Sequence, residues 1–577
     1  MNILTGLTRN TCVLGVVLAF KCFAVQADTG TQSPPDPKQI QQPLREQWLT
    51  YSGDYTGKRY SELQQINRNN VRHLSLAWVT RFISGSGVDG ASSAGGAFNG
   101  DRLPFPTLVG GLGAGDLNVG GPARLSGAIL QVNGVLYVTS TDNVWAVDAR
   151  DGTIIWHYYW KTLGGTHTGN RGVGMYGQWL FMETPDNMLV SLDAKSGKER
   201  WRREIASFQN LYFSSMSPIV IGQHVLVGTG NDIDAPGFLQ SFDPETGDRQ
   251  WITYTVPMSA NDPGINSWAN LDAARHGGAQ VWIPGTYDPE THLYLFGTGN
   301  PTPAYTEGRG SGDNLFTCSL IAVNVDSGKM AWYYQTSPHD THDWDSTQTP
   351  VLVNAPFHGR ERKLVMQATR NGYFFVLDRV TGEHLLTAKF GTVNNWALQI
   401  DAHGQPRRNP EKDPSTAGSL VSGNVTNWWP PTFSPDTGLF YVVEKNFLQI
   451  AYLTDADRRG SMGLGGASFF SSPQLNYGGS IAALDYQTGD VAWRHPNRGS
   501  FGLLSTAGKL VFTADGSYLV AYDAESGKTL WHTRIGANTS PPETYQLDGL
   551  QYLLATGDDQ VYAFVLNRDS DPTSSTR

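Results

Sequence analysis

The densest cluster of reactive side chains is HDTHDWD, residues 339–345. Asp343 and Asp345 alternate, so in an extended segment both carboxylates face one side. Hard oxygens at that spacing suit Ca2+ or a larger trivalent cation. The two histidines raise Zn2+, yet no third nitrogen or sulfur ligand stands beside them. A plain acidic loop is the bland alternative. GTGNP at 297–301 and GTGND at 228–232 each close an apolar run, HLYLFGTGNP and HVLVGTGND. Their glycines permit close backbone approach, and Asn300 and Asp232 each offer an oxygen to a metal. Alone, each is an ordinary turn. Arg171 (TGNRGVGMYG) and Arg370 (MQATRNGYFFVLD) lie next to apolar runs. A guanidinium fork there suits an anionic, planar ligand, while a surface pair is the plain reading. Trp282 (VWIPGTYDP) is free to stack on such a ring.

Something must bring these scattered groups together. A nine-residue phrase recurs with Asp first, Gly four places on and Trp four beyond that. Its full copies start at Asp148, Asp193, Asp243, Asp485 and Asp523, and end at Trp156, Trp201, Trp251, Trp493 and Trp531. Two are worn: Asn324, Gly328 and Trp332 begin with Asn, and Asp378, Gly382 and Leu386 lack the Trp. Each follows a short apolar run such as VWAVD or YLVAYD, which reads strand, tight turn, strand. Short strands at such a repeat predict an all-β protein, a β-propeller. Trp78 in LSLAWVTRF, the six repeat Trp and Leu386 give eight docking positions, hence eight blades. The long step from Asp378 to Asp485 is expected to hide one degenerate copy near Asp436 and Gly438. Trp282 belongs to none of these copies.

The chain has 577 residues, 39% hydrophobic and 11% aromatic, enough for a large core, and its 65 Gly suit a turn-rich β fold. Net charge is −10 with no basic run, which argues against nucleic acid. Residues 1–27 read as an export signal: Arg9, the apolar CVLGVVLAF, then a small-residue site ending at Ala27. That apolar run is too short to span a bilayer, so no membrane span is expected in the mature chain. Cys12 and Cys22 fall inside the signal, leaving Cys318 without an internal partner. No C-x-x-C-H occurs, so no covalent c-type haem is built in. The domain expected is a single propeller over 28–567, with a disordered tail at 568–577. The Gly/Ala-rich stretch 84–127 and the stretch 255–283 break the blade rhythm and are candidate walls of a site mouth.

Taken together, the sequence resembles the pyrroloquinoline quinone (PQQ) dependent alcohol dehydrogenases, eight-bladed quinoproteins typified by methanol dehydrogenase. The likeness rests on the opening WLTYSGDYTGKRYSELQQINRNNV, on NRGV, on YDPETHLYLFGTGNP, and on QTSPHDTHDWD followed by TRNGYFFVLDR. It implies that Asp343 is the catalytic base and Arg370 the arginine beside the quinone carbonyl. It implies that Asn300, Asp232, Asp343 and Asp345 bind one metal ion, Ca2+ or a lanthanide. Asp345 resembles the extra Asp of lanthanide-using members. Arg171 and Ser215 match positions that hold the cofactor's acidic edge, and Trp282 the floor beneath it. The implied reaction is oxidation of an alcohol, primary, secondary or polyol, in the periplasm, with electrons leaving to an external acceptor such as a soluble cytochrome c. Three departures stand out. Gly165 and Thr166 replace a family pair of adjacent Cys, Ser126 falls near a family Glu, and Asp232 replaces a longer Glu. The rival reading is a non-catalytic envelope scaffold, since assembly propellers share the Asp–Gly–Trp phrase. A metal-dependent hydrolase is a third. A scaffold has no need of HDTHDWD and TRNG at an axis.

Overall fold

The computed structural model describes residues 40–567, apart from 43, 86–104, 116–122, 166, 231, 307, 455–463 and 465. The expected signal (1–27) and tail (568–577) lie outside the described residues. Eight sheets contain four or more strands each, with one separate two-stranded hairpin. The sheet of Leu130–Val132, Val135–Ser140, Asn143–Asp148 and Ile154–Lys161 sets the pattern: four antiparallel strands in chain order. The last sheet joins both ends of the described chain. Leu74–Arg81 pairs with Gln560–Leu566 and supplies the fourth strand to Glu543–Leu547, Leu550–Gly557 and Gln560–Leu566.

The repeat phrase sits between the third and fourth strands. Asp148 Oδ1 accepts the N–H of Arg150 at 2.8 Å, and Gly152 takes φ +78°. A Cβ on Gly152 would lie 2.6 Å from Trp78 of the neighbouring sheet, so only glycine lets that indole close on the turn. The same lock repeats from sheet to sheet through indole N–H donors. Trp78 donates to the Ala149 carbonyl, Trp156 to Ala194, Trp201 to Glu245, Trp251 to Val325, Trp332 to Arg379 and Trp493 to Ala524. Leu386 fills the equivalent place against Gly489 by contact alone. Trp531 meets the edge of Phe564 in the last sheet, ring centroids 5.6 Å apart.

Two expectations need correction. No extra repeat hides between Asp378 and Asp485. Gly438 (φ +66°) turns Thr432–Ser434 into Leu439–Leu453, a first-to-second connection rather than a third-to-fourth one. The step is long because it holds an insertion. Ala397–Ile400 pairs with Pro406–Arg408, and Ser419–Ser422 and Ala467–Phe470 both pair with the far half of the 15-residue strand Leu439–Leu453. Seven phrases serve eight sheets because the last sheet has no third-to-fourth turn: there the chain ends meet. The Gly/Ala-rich stretch also divides. Residues 86–104 and 116–122 of it lie outside the described residues, Thr107–Gly111 runs parallel to Ile154–Lys161 on the outer edge of its sheet, and Arg124 and Ser126 border a cavity beside Arg171.

Residues 46–61 run across the innermost strands. Gln546 N–H reaches the Glu46 carbonyl, and Trp48 and Gln131 exchange two backbone bonds of 2.9 Å. Tyr55 Oη donates to Val220, while Tyr287, Leu352, Phe433 and Ser505 donate to the carbonyls of Tyr55, Thr56, Lys58 and Arg59. Arg59, fully buried, adds bonds to the carbonyls of Tyr51, Leu503 and Pro542. One segment thereby touches seven of the eight sheets.

Trp156→Ala removes a buried indole (2% exposed) that both packs on a turn and donates to the next sheet. We expect a loss of about 3–5 kcal/mol, read from denaturant unfolding. A loss below about 1 kcal/mol would mean that the indole lock contributes little to stability.

Candidate active site

Antiparallel strands place successive connections at alternate ends of a sheet. Connections from strand one to two and three to four share one end, which carries every Asp–Gly–Trp turn. Connections from two to three, and from four into the next sheet, share the other. All eight sequence-nominated residues fall in this second class. Arg171, Ser215, Trp282, Asp343 and Asp345 sit between sheets, and Asp232, Asn300 and Arg370 sit between second and third strands. The inserted strands Ala397–Ile400, Pro406–Arg408, Ser419–Ser422 and Ala467–Phe470 belong to connections of this second class.

The centre of the cluster is Arg370, 6% exposed. Its Nη1 donates to Asp343 Oδ1 and to the Asp343 carbonyl, both at 3.1 Å, and Nη2 lies 3.1 Å from Asp345 Oδ2. Asp345, fully buried, has both oxygens engaged. Oδ1 accepts the Asn300 backbone N–H at 2.6 Å, and Oδ2 accepts Trp282 Nε1–H at 3.0 Å. This one carboxylate therefore ties together Trp282, Asn300 and the central arginine. Burial pushes the Asp343 carboxyl well above the usual range; Arg370 opposes this, and Asp232, Asp345 and Asp340 add to it. Burial, then Asp345, pushes Asp232 up to about 8 despite Arg370. Burial pulls the Arg370 guanidinium down, but Asp345, Asp343 and Asp232 outweigh it and raise its pKa.

Arg171 forms the second cationic point. Its Nη1 donates to Ser215 Oγ at 2.6 Å and to the Ser215 carbonyl at 3.2 Å. Burial lowers its pKa to about 10. The guanidinium carbons of Arg171 and Arg370 lie 4.7 and 5.5 Å from the Trp282 ring centroid. Two buried cations beside one indole repel each other, and an anionic planar group between them relieves that repulsion. Arg171 also borders a cavity of about 220 Å3 lined by Arg124, Ser126, His167 and Trp428. Among the described residues, no carboxylate lines it.

Several buried polar atoms here lack any partner: Asn300 Oδ1, Asp232 Oδ1, Arg171 Nε and Arg370 Nε. Such atoms are costly unless something meets them. Two unmet oxygens suit a hard cation, and two unmet guanidinium nitrogens suit an acidic ligand. Among the described residues, no three His, Cys, Asp or Glu side chains already form a metal cage. Asp343 and Asp345 turn to Arg370, and Asp232 Oδ2 faces His167 Nδ1 at 3.6 Å. Asp343, Asp345, Asn300, Arg370 and Trp282 are thus directly linked to one another; Asp232 is coupled to them electrostatically only. Arg171 and Ser215 form the adjoining half.

Sequence reasoning missed four neighbours. Asn427 Oδ1 accepts from Arg370 at 3.3 Å, and Trp428 lies 5.3 Å from the Arg171 guanidinium. The pair Trp428–Trp429 matches no repeat position, the same signal that exposed Trp282. His167 and Tyr305 carried no comparable signal. Tyr305 reaches this centre by an Ω-like excursion between strands, where Phe469 of the insertion meets its ring edge-on at 5.0 Å.

Comparison with known proteins identifies the family. The β-propeller domain family of glucose, ethanol and alcohol dehydrogenases that use PQQ matches residues 48–402, and the outer membrane assembly factor BamB family matches 478–569. Quinoprotein alcohol dehydrogenase PedH of Pseudomonas putida KT2440 is 31% identical, over 92% of this chain and 88% of its own. Quinohemoprotein alcohol dehydrogenase ADH IIB of Pseudomonas putida is 32% identical, over 88% of this chain and 72% of its own. The crystal structure of the Comamonas testosteroni quinohemoprotein alcohol dehydrogenase superposes with TM-score 0.78 at 28% identity, over 92% of this chain and 82% of that one. A europium-containing methanol dehydrogenase gives TM-score 0.76 at 26% identity, over 92% and 99%. The indole-locked β-sheets, the paired guanidinium groups beside Trp282 and these relatives lead to one conclusion: the chain belongs to the PQQ-dependent alcohol dehydrogenases.

Proposed function

We propose that this enzyme oxidises a primary, secondary or polyol alcohol to the aldehyde or ketone in the periplasm. In this reading, residues 1–27 direct export, and 28–567 form one eight-bladed ring whose blades are the eight sheets. The tail 568–577 takes no part. The carrying observation is the cluster in which Arg370 holds Asp343 and Asp345 beside Trp282. Asp343 is the base. A carboxyl raised by burial has a pKa nearer the working range, and so takes an alcohol hydroxyl proton more readily. Arg370 steadies the negative charge of that carboxylate and aims Nη2 along the same rim. Trp282 is the flat floor, and Arg171 with Ser215 receives the acidic edge of the cofactor. Asp232 and Asn300 offer the oxygens for a Ca2+ or lanthanide ion, joined by Asp343 and Asp345. When bound, PQQ takes up the electrons of the alcohol carbon and the metal acts as a Lewis acid. With no C-x-x-C-H in the sequence, the electrons pass to an external acceptor such as a soluble cytochrome c. Among the described residues, no helix is long and apolar enough to cross a membrane. A scaffold role leaves the cluster of Asp343 with the buried Arg370 and Asp345 without purpose.

For Asp343→Asn we expect turnover to fall on the order of 10²–10⁴ with PQQ still bound, measured with an artificial electron acceptor. Undiminished turnover would remove Asp343 from the base role.

Trp282→Ala should weaken PQQ binding by ~1–3 kcal/mol in equilibrium dialysis, the scale of stacking a flat ring on an indole. Unchanged affinity would leave Trp282 a packing residue.

Three carboxylates with an amide oxygen favour a trivalent ion. Metal-free protein with PQQ should therefore gain more activity from La3+ or Ce3+ than from Ca2+, and Asp345→Ala should erase the lanthanide gain. A specific second reading follows from the engaged oxygens of Asp345: it organises Trp282 and Asn300 without touching the ion. In that case Asp345→Ala weakens PQQ affinity and the response to both ions alike.

A further inference from the structure

The turn that carries Asp343 holds it at φ +63°, a left-handed conformation uncommon outside glycine, though Asp enters it more readily than most residues. Asp340 stands three residues earlier and is 3% exposed. Its Oδ1 accepts the N–H of His342 at 3.0 Å, and its Oδ2 accepts the N–H of Trp344 at 2.9 Å. Those are the residues on either side of Asp343. One carboxylate thus spans the turn and fixes both of its shoulders.

The anchor is itself fixed. Arg309, fully buried, donates to the Asp340 carbonyl, to the carbonyls of Pro303 and Thr306, and to Asn314 Oδ1 at 2.8 Å. This joins the turn to the loop that begins at Asn300. On the far side, Thr341 Oγ1 donates to Asp413 Oδ1 at 2.8 Å, and His342 Nε2 meets the Lys412 carbonyl at 3.1 Å. The His342 ring stacks on Trp344, centroids 4.2 Å apart and 8° from parallel, and Trp344 packs on Trp396 at 4.3 Å. Every neighbour of Asp343 in the chain is pinned, while Asp343 itself points to Arg370.

We propose that Asp340, backed by Arg309, is a positioning residue that sets the direction of the Asp343 carboxylate. This rests on the reading of Asp343 as the base. A carboxylate is the side chain the task requires. Asparagine has one acceptor oxygen, so it would satisfy one amide and set an NH2 group against the other. Glutamate keeps both acceptors but moves them by a methylene.

The test uses Asp340→Asn and Asp340→Glu in the full chain reconstituted with PQQ and metal. Four quantities are measured: kcat, KM for an alcohol, the PQQ dissociation constant, and amide exchange over residues 342–344. Lost alignment should lower kcat by ~10–100-fold. KM and PQQ affinity should hold within about threefold, and exchange over 342–344 should quicken. A kcat within about twofold of the parent in either folded variant overturns the proposal. So does a fall in kcat matched by loss of PQQ, because that marks general collapse of the site. If one variant fails to fold, the other decides. If the parent shows no PQQ-dependent alcohol oxidation, the functional reading fails, and exchange alone judges the clamp: unchanged protection in the variants overturns it.

Discussion

Every sheet arranged around an axis exposes the inner edge of its first strand, and that edge carries backbone donors and acceptors that need partners. The segment 46–61 meets this demand. It passes the inner strands in order, from Gln546 and Gln131 through Val220, Tyr287, Leu352 and Phe433 to Ser505. The indole locks join neighbours at the rim; this segment joins nearly all of them at the centre. Arg59, with three carbonyl acceptors and no exposure, is its tightest point. The segment also lies close beneath the site: the Tyr51 hydroxyl, itself pushed up by burial, feels the Arg171 charge. Positions of the site residues therefore depend on an element far from them in sequence.

The site is a problem of charge held out of water. Asp232, Asp340, Asp343 and Asp345 converge on one region, with Arg370 as the main compensation. Buried charges in excess of their partners are unstable unless protonated or met by a ligand. Burial raises two of the four carboxyls, Asp232 and Asp343, above the usual carboxylate range. A cation would let them ionise, and so couples metal binding to proton release. On the other side, Arg171 lies beside Trp282 and Trp428, with the buried Glu183 as its carboxyl neighbour. The protein is thus negative at one end of the floor and positive at the other, the complement of a cation bound to an acidic ring.

Much of this was legible in the sequence, for physical reasons. The Asp–Gly–Trp phrase is local: the Asp turn, the positive φ and the indole all fall within nine residues, so periodicity revealed it. The alternating Asp343 and Asp345, and the unmatched Trp282, were visible for the same reason. The missing repeat near Asp436 was not there because spacing cannot tell an insertion from a worn blade. Ala397–Ile400 and the extended half of Leu439–Leu453 are ordinary strand sequences. The roles of Asp340 and Arg309 were hidden because they depend on main-chain amides and carbonyls, which leave no mark on residue choice beyond a single Asp or Arg. The link from Asp345 to Trp282 spans 63 positions and belongs to the ring rather than to any phrase.

The last sheet takes three strands from the end of the described chain and one, Leu74–Arg81, from near its start. That arrangement sets an order of events. A strand made early, Leu74–Arg81, waits for a hydrogen-bonding partner, Gln560–Leu566, from near the end of the described chain. Until then the first and last sheets stay apart, and Trp78 has its own strand unpaired. A chain truncated before residue 560 would lack the strand that pairs with Leu74–Arg81.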